Sequence, residues 1–176
     1  MKNLILSLVI AVTGFVGVNA QSGTFEVGPY LGAPIGDADG YNFNTGATFA
    51  YYFNVIPKLK VGPLIGVDQF FGKEDNGWDY PDVTFLPLAA SAKFNFTERF
   101  YAGLDLGYAI GLSDGAGDGG LLARPQIGIS LPIVDLYGYY KSINFSVDEP
   151  GDWDSPEDWD DDWNLGSIGV GAAFKF

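Results

Sequence analysis

The sequence contains no histidine and no cysteine, and charged residues are few. The missing residue types exclude His/Cys zinc sites, cysteine nucleophiles, Ser-His-Asp triads and disulfides. Charged residues make up 18% of the chain, below the roughly 25% of ordinary soluble domains. The net charge of −13 argues against a nucleic-acid partner, because such partners require a basic surface.

The first twenty residues have the features of a secretory signal peptide. Lys2 gives a positive start, residues 4-18 are almost wholly apolar, and Val18-Asn19-Ala20 is a small-x-small cleavage pattern. A retained membrane anchor is the weaker alternative, because a spanning helix needs about 20 apolar residues. We predict a cleaved signal peptide at residues 1-20 and a single mature domain at residues 21-176.

After Ala20, eight segments of about ten residues alternate between apolar residues and polar or small ones. In the second segment, for example, Phe49 and Tyr51 share one face while Thr48 and Tyr52 share the other. Ten residues is the length that a tilted strand needs to cross a bilayer. The pattern predicts eight strands, but it fits both a transmembrane barrel and a soluble barrel with an apolar interior.

Three features favour an apolar exterior. The minor face is rich in glycine and poor in charge, as a narrow lumen requires. Short connections at 56-58, 97-99 and 133-135 alternate with acidic ones at 36-41, 72-81, 113-120 and 148-164, as in transmembrane barrels. Aromatic residues gather at both ends of the apolar face, like the girdles at bilayer interfaces. One group is Tyr51, Phe53, Phe94, Phe96, Phe100, Tyr137, Tyr139, Phe174 and Phe176, and the other is Phe43, Phe71, Tyr108 and Phe145.

Together these features resemble the small eight-stranded outer-membrane β-barrels of Gram-negative bacteria, the OmpA/OmpX-type barrels. The resemblance covers residues 24-176, and its most specific part is the last strand, which ends in Phe174-Lys175-Phe176. It implies an all-β, antiparallel, up-and-down transmembrane barrel in the outer membrane with both termini in the periplasm. It also implies that Phe174 and Phe176 resemble the signal read by the barrel assembly machinery. The expected surroundings are outer-membrane lipid and lipopolysaccharide, and we expect a monomer.

The charges closest to the middle of the inward faces are Glu26, Lys93, Asp105 and Arg124. We interpret them as a structural ion-pair network, because buried charges must be paired and eight strands enclose a lumen that side chains fill. A proton path or a small-ligand site is the alternative. We expect no open channel, although the many inward glycines could leave a water-filled cavity.

Two features conflict with regular strands. Pro29, Pro63, Pro87 and Pro125 each remove a ladder donor, which predicts bulges or a shifted register. Lys141 falls on the apolar face, where a charge near the bilayer midplane would cost about 2–4 kcal/mol. A bulge at Tyr139-Tyr140, or snorkelling of the lysine towards the headgroups, would resolve this conflict.

The last long connection, residues 148-164, contains nine acidic residues, three tryptophans and no basic residue. Asp158, Asp160 and Asp162 alternate as calcium ligands do, but Trp163 stands where an EF-hand needs glycine. A solvated acidic loop is the main interpretation, and Ca²⁺ binding is the alternative; no other cofactor is expected. Acidic loops would repel lipopolysaccharide phosphates unless divalent cations bridge them.

These observations predict a non-enzymatic outer-membrane barrel with a structural or surface-interaction role through its acidic loops. Two alternatives remain. One is a lipid-modifying outer-membrane enzyme on a similar barrel, although no catalytic constellation is evident. The other is a secreted soluble β-barrel that binds an apolar ligand.

Overall fold

The computed structural model describes residues 23-75, 78-145 and 163-176. The signal peptide and the calcium candidates Asp158, Asp160 and Asp162 lie outside these ranges, so cleavage after Ala20 and calcium binding stay predictions. Among the described residues, no helix is long and apolar enough to cross a membrane.

Eight long strands form one closed antiparallel barrel, in which each strand pairs with its neighbours in sequence and the last pairs with the first. This confirms the predicted fold class. The strands are β1 (Thr24–Gly36), β2 (Tyr41–Ile56), β3 (Leu59–Gly72), β4 (Val83–Asn95), β5 (Phe100–Gly111), β6 (Gly119–Ser130), β7 (Val134–Phe145) and β8 (Trp163–Lys175).

The two ends of the barrel differ. We call the end that holds both strand termini and the turns at 57-58, 96-99 and 131-133 the terminal end, and the opposite end the loop end. Between β3 and β4, the second connection at the loop end carries a small ladder of Glu74–Asp75 with Trp78–Asp79. Between β5 and β6, the third contains a 3-10 turn, Asp114–Ala116.

Large apolar side chains stand exposed on the outside of all eight strands. Examples from β1 to β8 in order are Leu31, Phe49, Val67, Leu88, Leu106, Ile127, Leu136 and Val170. An exterior of this kind needs an apolar surrounding, and a closed barrel leaves no strand edge unpaired within it. We call this surface the apolar belt.

The inward and outward faces follow the sequence prediction in every strand except β7. There, Tyr137, Tyr139 and Lys141 are buried in the lumen, while Tyr140 is 44% exposed on the outside. No bulge is present at Tyr139-Tyr140, because β7 pairs with β8 in one register along its whole length. The prediction of a lipid-facing Lys141 was therefore wrong. Phe145 also belongs to the inside, since its ring lies 5.9 Å from that of Phe85.

The four prolines do not shift the strand register, contrary to the prediction. Across Pro29, for example, the pairs Val27↔Phe174 and Tyr30↔Gly171 belong to the same register. Beside each proline, two residue pairs are missing from the ladder with one of the two neighbouring strands. These are the two pairs whose hydrogen bonds would need the proline N–H. The gaps lie between β1 and β8 at Pro29, β2 and β3 at Pro63, β3 and β4 at Pro87, and β6 and β7 at Pro125.

Candidate functional site: the filled lumen and its closed loop end

A first group of charges fills the lumen near the terminal end. The Lys93 ammonium contacts the Glu26 carboxylate and lies 3.0 Å from Asp135 Oδ2. Lys175 Nζ lies 2.8 Å from the other oxygen of Asp135, which also accepts a hydrogen bond from Ser130 at 2.8 Å. One carboxylate thus joins two lysines, and the whole group is buried or nearly so.

A second pair occupies the middle of the lumen. Arg124 Nε lies 2.8 Å from Asp105 Oδ2, and both side chains are buried. Gln126 donates to the same oxygen at 3.3 Å. The four predicted residues therefore form two separate pairs and not one cluster. Glu26 pairs with Lys93, and Asp105 pairs with Arg124.

A third pair lies closer to the loop end. Lys141 contacts Asp68, and Asn44 Nδ2 donates to Asp68 Oδ1 at 3.2 Å. The sequence pattern did not indicate this pair, because Lys141 falls among the apolar positions predicted to face outward, and Asp135 falls in a predicted short connection. Asp135 and Lys141 share one face of β7, and two charges on one face are a signal that the face is inward.

Aromatic rings accompany the buried cations. Lys93 Nζ lies 4.9 Å and 5.0 Å from the ring centroids of Tyr52 and Tyr101. Lys141 Nζ lies 4.6 Å from the ring of Phe70, and Arg124 Cζ lies 5.2 Å from that of Tyr30. These cation–π contacts offset part of the cost of removing each cation from water.

Inward tyrosines also fill the space left by inward glycines. Directly paired across neighbouring strands are Tyr30 with Gly46, Tyr101 with Gly128, Tyr137 with Gly171 and Tyr139 with Gly169. A Cβ atom on Gly171 would lie 2.4 Å from Cζ of Tyr137, which is too close for any contact. These four glycines therefore make room for aromatic rings inside the barrel.

The loop end of the lumen is closed by an apolar cluster, which we call the loop-end plug. Its buried members are Ala38, Tyr41, Phe70, Val83, Phe85, Ala109, Ala116, Leu122, Ile143 and Leu165. Ala38 comes from the first loop and Ala116 from the third, so both loops contribute to the closure. Above the charged layers, the described lumen is thus sealed by apolar side chains.

The charges inside the barrel are paired with one another. Each of the eight lumen charges described above has an ion-pair partner. Within the described residues there is no group of three or more Asp or Glu side chains that could hold a metal ion.

An open groove of about 940 Å³ lies on the outer surface, where Ile127, Leu136 and Val170 form part of its apolar lining. It belongs to the apolar belt.

The last residues of the chain lie on the outside at the terminal end. Phe174 and Phe176 both point outward, and Phe176 is 78% exposed. The backbone N–H of Phe176 donates to the carbonyl of Phe25 at 2.9 Å, and that of Phe25 donates back at 3.2 Å. The first and last strands therefore remain paired to the end of the chain.

The fold is that of the small eight-stranded outer-membrane β-barrels, which confirms the resemblance seen in the sequence. Ail, the attachment invasion locus protein of Yersinia pestis, has been solved in a phospholipid bilayer nanodisc. Its structure matches with a TM-score of 0.57 and 16% identity, covering 88% of this chain and 100% of that one. Ail in complex with the heparin analogue sucrose octasulfate matches with a TM-score of 0.50 and 17% identity, covering 89% and 100%.

Two further structures match at similar levels. Neisserial surface protein A has a TM-score of 0.51 and 15% identity, covering 89% of this chain and 100% of that one. A designed transmembrane β-barrel has a TM-score of 0.51 and 15% identity, covering 90% and 100%. No protein-family model and no curated protein matches the chain.

Proposed function

We propose that the protein is a non-enzymatic integral outer-membrane barrel that presents an acidic surface outside the cell. The observation that carries this proposal is the apolar belt around all eight strands. A soluble barrel with an apolar ligand would need the opposite arrangement, with its polar side chains outside. Here the described lumen holds paired charges and tyrosines instead.

Fractionation and site-specific labelling test the location and orientation. The chain has no cysteine, so a single introduced cysteine can be labelled alone. In intact cells, a membrane-impermeant maleimide should label Asp118→Cys at the loop end, and should label Lys58→Cys at the terminal end only after permeabilisation. The protein should stay in the detergent-insoluble envelope fraction. Recovery as a soluble protein without detergent would contradict the proposal.

The proposed partners are cationic, because the loop end is acidic. Asp37, Asp39, Asp82 and Asp118 are exposed there, and the one described basic residue of these loops, Lys73, donates to the carbonyl of Asp39. A polyanion of the kind bound to Ail would meet repulsion at this surface. We infer that it suits basic polypeptides, or lipopolysaccharide phosphates bridged by divalent cations.

Binding to polylysine and to heparin tests whether the loop end prefers cationic partners. The barrel in nanodiscs should bind polylysine at low ionic strength, and should lose affinity as salt screens the charges. The triple variant Asp37→Asn, Asp39→Asn, Asp82→Asn should bind more weakly, while Glu98→Gln at the terminal end should not. Heparin binding equal to polylysine binding would refute the charge argument.

We also propose that Phe174 and Phe176 act as the terminal assembly signal. Support comes from their outward position at the end of β8 and from the resemblance of the last strand to that signal. Phe176→Asp should reduce the amount of barrel in the outer membrane more than Leu112→Asp, since Leu112 is an exposed loop residue. Equal levels of the two variants would leave Phe176 without this role.

A mass spectrum of lipid A tests the absence of enzymatic activity. A strain that lacks the gene should produce the same lipid A species as its parent. A missing acyl or phosphate modification, restored by the gene, would support the lipid-modifying alternative instead.

A further inference from the structure

The second loop of the loop end carries an exposed aromatic ring. Tyr80 lies three residues before β4, and its side chain is 52% exposed. Its neighbour Pro81 is exposed as well. The aromatic residues of the apolar belt stand on strands, whereas this ring belongs to a loop. The covering of the belt therefore does not account for the ring of Tyr80.

The ring of Tyr80 rests on the first loop at Gly40. A Cβ atom on Gly40 would lie 2.7 Å from Cδ1, 2.8 Å from Cε1 and 3.1 Å from Cγ of Tyr80. Three successive ring atoms at nearly equal distances mean that the ring turns its face, and not its edge, toward Gly40. Because glycine has no side chain, the ring packs directly against the backbone there. One face is thus covered by the first loop, and the other is open.

Backbone hydrogen bonds hold the two loops in this arrangement. The N–H of Lys73 donates to the carbonyl of Gly40 at 2.8 Å, and the N–H of Tyr80 donates to the carbonyl of Lys73 at 3.0 Å. The N–H of Gly72 donates to Asp82 Oδ1 at 2.9 Å. The ring is therefore held in place before any partner arrives, which lowers the entropy cost of binding.

Two carboxylates flank the ring. Asp39 directly precedes Gly40, Asp82 follows Tyr80 by two positions, and both are exposed. The ammonium of Lys73 donates to the backbone carbonyl of Asp39 at 2.9 Å. None of the ion pairs between described residues includes the carboxylate of Asp39 or of Asp82. We call the ring of Tyr80 with these two carboxylates the Tyr80 platform.

An aromatic face beside carboxylates favours one kind of cation. The face of a tyrosine ring attracts ammonium and guanidinium groups. A guanidinium is planar and weakly hydrated, so it stacks on a ring while its N–H groups donate to carboxylates beside that ring. A lysine ammonium is compact and strongly hydrated, and a metal ion such as Mg²⁺ keeps several of its waters. Both therefore gain less from the ring than arginine does.

We propose that the Tyr80 platform binds an arginine side chain of a partner polypeptide, stacked on the open face of Tyr80 and hydrogen-bonded to Asp39 and Asp82. The acidic loop end attracts basic polypeptides through charge alone, and the platform adds a preference for arginine over lysine. This inference rests on the proposed function, because it requires that the loop end is a surface for cationic partners.

The experiment measures the binding of oligoarginine and of oligolysine, two peptides of equal length, to the barrel in nanodiscs at low ionic strength. The wild type should bind oligoarginine more tightly. Tyr80→Leu should weaken oligoarginine binding about two- to five-fold, the loss expected for an exposed cation–π contact, and should weaken oligolysine binding less. Tyr80→Phe keeps the ring face and should bind oligoarginine as the wild type does.

Tyr108→Leu is the matched control, because it makes the same change on the apolar belt, where Tyr108 is 40% exposed. It should leave the affinity for both peptides unchanged. Heat-dependent migration in detergent gels shows that each variant is folded.

The outcomes separate this inference from the proposed function. If Tyr80→Leu leaves oligoarginine binding unchanged, or weakens the binding of both peptides equally, the inference about the platform is wrong. Salt-sensitive binding of both peptides would in that case still support an acidic surface for cationic partners. A loss in Tyr80→Phe as large as that in Tyr80→Leu would also overturn the inference, because the hydroxyl and not the ring face would be responsible. If neither peptide binds the wild type, the proposed function fails together with the inference.

Discussion

Tyr137 packs where it does because its cross-strand partner, Gly171, has no side chain. A methyl group at Gly171 would lie 2.4 Å from the ring, so Gly171→Ala forces Tyr137 to move within a filled lumen. Overpacking of this kind costs about 1–3 kcal/mol. We expect that loss in the free energy of unfolding, measured by urea titration in detergent micelles.

Gly138→Ala is the matched control, because it makes the same change on the neighbouring strand. A Cβ on Gly138 points outward and has only the carbonyl oxygen of Gly169 nearby, at 3.8 Å. The variant should unfold within about 0.5 kcal/mol of the wild type. Equal destabilisation by both substitutions would mean that glycine is needed for the backbone and not for Tyr137.

Lys141 stabilises the fold by neutralising the buried carboxylate of Asp68. Lys141→Met leaves Asp68 buried without its cation, and removing one partner of a buried ion pair costs about 3–5 kcal/mol. Lys141→Met with Asp68→Leu should recover much of this loss, because no unpaired charge remains. Unfolding titrations of the two variants, with the exposed Lys58→Met as control, measure the difference. If the single and double variants lose equal stability, the pair is not the cause.

At the scale of whole strands, each proline leaves one carbonyl of the neighbouring strand without the N–H donor that another residue would supply. Opposite Pro125, the carbonyl of Tyr140 loses the bond that a proline N–H cannot supply. Pro125→Val would add a bond worth about 0.5–1.5 kcal/mol but would lose about 0.4–1 kcal/mol of proline rigidity. The two effects nearly cancel, so global stability is a poor measure of this change.

Amide hydrogen exchange measures the effect of the substitution at position 125 itself. In Pro125→Val, the new amide at position 125 should be as protected as that of Ile127 on the same strand, as observed by NMR in micelles. Rapid exchange at position 125 would show that the gap has another cause than the missing N–H.

Strand number and the two faces of seven of the eight strands follow from the period-two pattern, whereas the up-and-down strand order was implied by the resemblance to the small outer-membrane barrels. The face of β7 does not follow from that pattern, because tyrosine is equally suited to a lipid interface and to a lumen lined by glycine. Tyr137 and Tyr139 look the same in either place. The charges Asp135 and Lys141 on the same face are the one local signal, and the partners Gly171 and Gly169 on β8 are information that the alternation within one strand does not contain.

The loop-end plug also escaped the sequence pattern. Phe70, Phe85 and Leu122 are apolar residues on inward positions, which breaks the rule that the inner face is polar. The rule holds where lipid surrounds the barrel and fails towards the loops, where side chains of the strands pack against Ala38 and Ala116. The charged pairs were partly predictable, since parity placed Asp105 and Arg124 inside, but their pairing depends on register.

For the molecule as a whole, the filled lumen predicts the absence of large conductance. Ions would have to pass the loop-end plug, the Lys141 pair, the Arg124 pair and the Lys93 group in turn. Planar bilayer recordings should show no long-lived openings of porin size. Phe70→Ala with Phe85→Ala should stay equally silent, because three charged layers remain below the plug. Porin-sized openings in the wild type would contradict a packed interior.

The mutual hydrogen bonds between Phe25 and Phe176 bring the two ends of the folded chain side by side. The barrel is therefore suited to circular permutation: a short linker can join the present ends, and a new break can be made between Pro57 and Lys58 at the same end. Every strand would keep its neighbours and its direction, while Phe176 would become an internal residue. A permuted barrel thus separates what Phe176 does as part of the wall from what it does as the last residue of the chain.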